Sequence, residues 1–160
     1  MLACPLIFGV REAVTGNGFV GGISISGRAL MVREEDGLWW VYGVEPGGMA
    51  ACGETSTEAY LLFRETVRKV LLDSASLASS FEQFYTDVEM IGRQINAAES
   101  ARWEAARAAI RAGVVTPEGP LAELPRYTAD VRCGVEVVRL DKGAELKADP
   151  NATPSFATAA

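Results

Sequence analysis

The 160-residue sequence predicts an α+β domain: an antiparallel β-meander with a capped helix packed on the sheet, an extra N-terminal hairpin, and further C-terminal helices with a late strand. Three observations predict it. Residues 6–52 are rich in β-branched and aromatic side chains, broken at short intervals by glycine, proline and acidic turns. Residues 55–112 switch to apolar side chains every three or four positions, behind a helix-start signal. Val131, Cys133, Val135 and Val137 then return to alternation. A chain of this length suits one domain, since domains cluster at roughly 100–150 residues. Residues 1–140 are read as that domain and 141–160 as a flexible tail, where Ala, Asp, Pro, Asn and Thr offer little to bury.

The elements follow in order. Leu6 to Val14 reads as a strand, and Thr15-Gly16-Asn17-Gly18 as a hairpin turn in which Asn-Gly supplies positive φ angles. Phe19 to Ile25 places Ile23 and Ile25 on one face and Ser24 and Ser26 on the other. Gly27 marks a bend or bulge, and Ala29 to Arg33 forms the next strand. Glu34-Glu35-Asp36-Gly37 reads as a solvated turn; its spacing does not fit a calcium loop. Leu38 to Val44 is the strongest strand, and Pro46-Gly47-Gly48 ends it. Alternation sends Trp39, Val41 and Gly43 to one face and Leu38, Trp40, Tyr42 and Val44 to the other. Met49 to Cys52 is a short fourth strand.

Thr55-Ser56-Thr57-Glu58 has the form of a capping box, in which the Thr55 hydroxyl accepts from Glu58 N–H and the Glu58 carboxylate reaches back to Thr55 N–H. Ala59, Phe63, Thr66, Val67 and Val70 then form one apolar face, so residues 53–70 read as a helix laid on the sheet. A second helix starts near Ser76, with Leu77, Phe81, Phe84, Val88, Ile91 and Ile95 in a near-heptad stripe. A third spans Ala97 to Ala112, with Gly113 as its stop. Arg93, Arg102, Arg107 and Arg111 alternate with Glu89, Glu99 and Glu104, a pattern of ion pairs on exposed faces. Prolines 117, 120 and 125 mark a loop before the late strand, Val131 to Leu140.

Composition excludes several function classes. An apolar fraction of 49% with 22% charged residues is globular, not disordered. The net charge of −6 argues against the basic field that nucleic acid requires, so neither DNA nor RNA binding is expected. Histidine is absent, which removes His-based triads, bases and metal ligands. Cys4, Cys52 and Cys133 are widely spaced, form no Cys-x-x-Cys pair, and read as reduced thiols of a cytoplasmic protein. Gly16-Asn17-Gly18, Gly21-Gly22 and Gly47-Gly48 lack the context of a dinucleotide or phosphate loop. We therefore expect no catalytic residues, no cofactor and no metal. No apolar run reaches the ~18–20 residues of a membrane helix. Met1 to Phe8 lacks a basic leader, and Arg11 and Glu12 interrupt the apolar stretch, so no signal peptide is expected.

Residues 29 to about 75 carry a family resemblance. The acidic turn Glu34-Glu35-Asp36-Gly37 is followed by the aromatic strand Leu38-Trp39-Trp40-Val41-Tyr42. The corner Pro46-Gly47-Gly48 and the short strand Met49-Ala50-Ala51-Cys52 come next, and Gly53-Glu54-Thr55-Ser56-Thr57-Glu58-Ala59 opens a helix. This succession resembles the HicB-like domain, the antitoxin side of bacterial toxin–antitoxin systems. The resemblance implies a small antiparallel sheet with one packed helix, and a partner that is an RNase toxin. That toxin relies on a histidine, which this chain lacks. Residues 76–112 do not match the DNA-binding tail common in the family, so direct DNA binding is not expected.

The function expected is a non-enzymatic protein-binding module. It would mask a small basic partner such as an RNase toxin, and a negative chain suits such a partner through electrostatic steering. The alternative is a structural or assembly subunit that forms a homodimer or joins a larger complex. In both readings the partner-binding residues are Trp39, Trp40 and Tyr42, because both sheet faces are apolar there. Thr55 and Glu58 are the structural cap. The stripe from Leu77 to Ile95 is the expected dimer seam.

Overall fold

The computed structural model describes residues 2–146 and 156–159. The fold is α+β: a seven-stranded, mostly antiparallel open sheet with three helices packed on it. Strands β1 (Ala3–Gly16) and β2 (Phe19–Arg33) form a long hairpin, in register from Gly16 opposite Phe19 to Ala3 opposite Val32. Strands β3 (Trp39–Glu45) and β4 (Ala50–Gly53) continue the meander.

Two expectations for the hairpin are corrected. Asn17 keeps a negative φ, and the left-handed geometry falls on Gly18 alone, at φ +78°. The Asn17 side chain is used elsewhere: its amide donates to Ala78 O at 3.0 Å and ties the hairpin tip to the helical layer. Gly27 does not separate two strands either, since β2 runs through it unbroken. The ladder to β3 shifts register between Arg28 and Ala29, next to Gly27. A Cβ on Gly27 would lie 2.5 Å from Glu45 O and 2.7 Å from the Phe8 ring. Glycine lets two neighbours occupy that space while β2 continues.

Beyond that point β2 acquires a second partner. Strand β6 (Gly134–Arg139) pairs with its residues 21–26, while β3 pairs with 28–33. This strand is shorter than the expected 131–140, and Val135 and Val137 point inward as the alternation predicts. Strand β7 (Phe156–Ala159) pairs with β1 at Leu6–Phe8, and β5 (Arg126–Tyr127) pairs in parallel with β7. The expected flexible tail over 141–160 is thereby corrected: Ala157, Thr158 and Ala159 are buried in the sheet. The small side chains of Ala157 and Ala159 fit the close-packed second face, and Thr158 faces Cys4 on the first, which composition could not reveal. Residues 147–155 of that expected tail lie outside the described residues.

Helix α1 (Ser56–Leu77) starts where the cap predicts. Thr55 Oγ1 accepts from Glu58 N at 3.1 Å, but the Glu58 carboxylate accepts from Glu54 N, at 2.7 Å, not from Thr55. The helix is longer than residues 53–70, and the break expected near Ser76 comes at Ala78–Ser80. A second capping box makes that break: Ser80 Oγ accepts from Gln83 N, and Gln83 Oε1 accepts from Ser79 N at 2.9 Å. Helix α2 (Phe81–Gly92) follows, then α3 (Ala97–Arg111), capped by Asn96 and ended near Gly113 at φ +70°.

The helices lie on opposite faces. Ala59, Phe63, Val67 and Leu71 of α1, with Phe84 and Val88 of α2, pack on Leu6, Phe8, Val10, Ile23, Ile25 and Met31. Phe8 and Phe63 meet edge to face at 5.3 Å. The turn after α2 crosses the sheet, where Asn96 N donates to Val44 O and Gly47 N to Gln94 O. That puts α3 on the second face, with Trp103 and Ala106 over Ile7, Leu30, Val32 and Val44. The buried Trp103 indole N–H donates to Leu6 O at 3.0 Å. Phe84 and Val88 are spent on the core, so the stripe from Leu77 to Ile95 is not an outward seam. Leu77, at its start, belongs to α1 and is exposed.

Candidate functional site

The aromatic end of β3 divides as alternation predicts. Val41 and Trp39 belong to the first core, Val44 and Tyr42 to the second. Trp39, Trp40 and Tyr42 are all half-buried. Trp40 stacks on Tyr42 at 5.7 Å with planes 7° apart. The Tyr42 hydroxyl donates to Glu34 Oε1 at 3.2 Å, and Arg102 lies over the ring at 5.8 Å. Partial burial, and then the Glu34 carboxylate, hold the Tyr42 phenol above its ordinary range.

This end of the sheet is acidic. Asp36 Oδ1 accepts from Leu38 N at 2.9 Å and braces the turn, while the Asp36 and Glu35 side chains remain exposed. Trp39 pairs with Gly53 across β3 and β4, which brings the 34–37 turn near the exposed Glu54 and Glu58. The outer edge of β4 pairs with no strand among the described residues. Gly53 is needed there: a Cβ would meet Ala59 N at 2.7 Å, beneath the start of α1.

A second feature lies where α3 meets Arg28 of β2. A cleft of about 610 Å³ is lined by Arg28, Glu45, Trp103, Glu104, Arg107 and the segment Asp130–Cys133. Arg28 is held by Glu45 at 3.1 Å and Glu104 at 3.2 Å. The guanidinium groups of Arg28 and Arg107 lie 5.1 and 5.4 Å from the Trp103 ring centre. Burial, and next the Glu45 charge, push the Cys133 thiol up to about 11. The thiol is therefore protonated at neutral pH and is no nucleophile.

No protein-family model, curated protein or solved structure matches this chain. Geometry and chemistry carry the functional reading.

The cleft was not found from the sequence. Of Arg93, Arg102, Arg107 and Arg111, read alike as exposed ion-pair residues, Arg93 is exposed and pairs with Glu89 at 3.3 Å, Arg102 is half-buried and pairs with Glu99 at 3.0 Å, and Arg111 is exposed. Arg107 is instead buried, a correction to that reading. The signal was its spacing, since Trp103, Arg107 and Ile110 fall on one helical stripe. Among the described residues, no three His, Cys, Asp or Glu side chains converge as a metal site requires, and no helix is long and apolar enough to cross a membrane.

Proposed function

We propose that this chain is a non-enzymatic protein-binding module that covers a small basic protein at the acidic end of its sheet. The observation that carries the reading is the juxtaposition of the free β4 edge, the half-buried Trp40–Tyr42 stack and the exposed carboxylates of Glu35, Asp36, Glu54 and Glu58. A strand edge offers backbone hydrogen bonds, the aromatic pair offers apolar area, and the carboxylates attract a positive surface. The reading rests also on the HicB-like resemblance over residues 29 to about 75, with its order of strand, acidic turn, aromatic strand, short strand and capped helix. That resemblance supports antitoxin-type masking of an RNase as the form this binding takes, in the cytoplasm.

The test is affinity capture from the native cell with the full chain, beside Trp40→Ala and the pair Glu35→Lys with Asp36→Lys. A small basic protein held by the parent chain and lost by both variants is expected. Its RNase activity should fall in proportion to added chain. A partner retained equally by all three proteins would overturn the reading.

A specific observation favours a second reading, the self-associating subunit. Leu61 and Leu72 are 56% and 39% exposed on the outer side of α1, three helical turns apart, and Leu62 beside them is 44% exposed. An apolar line of that kind suits a helix–helix seam between two copies.

A further inference from the structure

Arg107 is a buried cation whose hydrogen-bonding capacity the described residues leave unfilled. The residue is 8% exposed. Its guanidinium donates once within the described residues, from Nη2 to Ala129 O at 3.1 Å, and its buried Nε donates to nothing. No carboxylate among the described residues pairs with it. Glu45 and Glu104, which share the cleft, both bind Arg28. Unpaired buried cations are rare because removing them from water is costly unless a counter-charge is present. The Trp103 ring face supplies part of that compensation, but a ring accepts no in-plane hydrogen bond.

We propose that this cleft binds a small monocarboxylate of the hydroxy- or amino-acid kind, whose carboxylate is the missing counter-ion of Arg107. The planar guanidinium matches a carboxylate in geometry. Arg132 lines the cleft, is exposed and has no partner among the described residues, so it adds attraction at the rim. Glu45, Glu104 and Asp130 line the same space and disfavour a dianion such as phosphate. Two of those carboxylates hold one arginine between them, which leaves acceptor capacity for a hydroxyl or ammonium on the ligand's other end. Both guanidinium groups already lie near the Trp103 ring, so the ligand is not expected to be an aromatic that stacks there. The volume of about 610 Å³ exceeds a bare carboxylate and admits a short tail.

The experiment is a titration of the full ¹⁵N-labelled chain with lactate, glycine and inorganic phosphate at constant ionic strength, following the arginine Nε–Hε signals. Lactate or glycine should shift the Arg107 signal saturably, with phosphate weaker. Arg107→Lys should weaken binding about tenfold, because the planar fork is lost. Arg132→Gln alters an exposed side chain, should fold normally, and should weaken binding several-fold. The proposal is overturned if neither carboxylate gives a saturable shift, if phosphate binds more tightly than both, or if Arg132→Gln leaves binding unchanged. None of these readouts involves a protein partner, so the result is independent of the proposed partner surface.

Discussion

Phe63 illustrates how much one side chain holds in this molecule. It is fully buried and meets Phe8 edge to face. Phe63→Ala is expected to cost about 3–5 kcal/mol, the range for emptying an aromatic site in a core. Thr55→Ala removes one cap hydrogen bond and is expected to cost about 1 kcal/mol. Urea denaturation of both variants checks the ratio, and a larger loss for Thr55→Ala would contradict the packing described. A buried thiol gives the pH behaviour. Burial pushes Cys4 up to about 11 from its ordinary 9.0, only partly offset by the Thr158 hydroxyl 4.0 Å away. A raised folded-state pKa means that the stabilisation is complete below pH 9 and is lost as pH rises towards 11. Titrating a thiol raised that far corresponds to ~3 kcal/mol at the alkaline end. Denaturant midpoints measured from pH 8 to 11 should fall, and Cys4→Ala should flatten the decline. Cys133, pushed up to about 11 as well, and Tyr42 and Tyr60, shifted in the same direction, leave a residual slope.

Strand β7 shows what a short element contributes. Its residues 156–158 pair with β1, and Thr158 and Ala159 carry β5 on the other side. Phe156 stacks on Tyr60 of α1 with ring centres 3.6 Å apart. Phe156→Ala should lower the melting temperature by several degrees, as a loss of about 2 kcal/mol does in a domain of this size. Hydrogen exchange should quicken at Leu6–Phe8 while the β1–β2 ladder near Val14 and Gly21 stays protected. Unchanged exchange at Leu6–Phe8 would mean that β1 does not depend on β7. The tail expectation missed this strand because Phe-Ala-Thr-Ala is too short to show a periodic pattern of its own. The strand is held by backbone pairing and by the fit of small side chains to a crowded face, neither of which composition records.

Taken whole, the chain closes most of its own apolar surface. Helices α1 and α2 cover one face, and Trp103 of α3 covers much of the other. Among what remains outward are the line of Leu61, Leu62 and Leu72, the more scattered Leu77, Met90, Ile95 and Val114, and the acidic aromatic end of the sheet. The two surfaces make different predictions for assembly. If α1 is a dimer seam, light scattering at micromolar concentration gives twice the 17.1 kDa chain mass, and Leu61→Glu with Leu72→Glu returns it to one. If the acidic end takes a basic partner, those substitutions leave capture unchanged while Trp40→Ala abolishes it. A chain that remains a monomer and captures nothing would remove the case for a partner at either surface.

Local signals were legible in the residues. The strands around Asn17-Gly18, the division of Trp39 from Trp40 between two faces, the Thr55 cap and the third helix from Ala97 all follow from periodicity and hydrogen-bonding chemistry within a few residues. The Ser80–Gln83 box was equally local and was missed because the stripe from Leu77 to Ile95 reads as continuous apolar spacing. Long-range pairing had no such signature. Which edge β6 and β7 join, and that Arg28, Arg107 and Cys133 share one cleft, depend on contacts between residues as far apart in the chain as Leu6 and Thr158. Such contacts follow from how whole layers pack, and no window of sequence contains both partners. The charge of Arg107 is visible in the sequence, but its burial beside Trp103, with no carboxylate partner among the described residues, arises only when α3 crosses to the second face of the sheet.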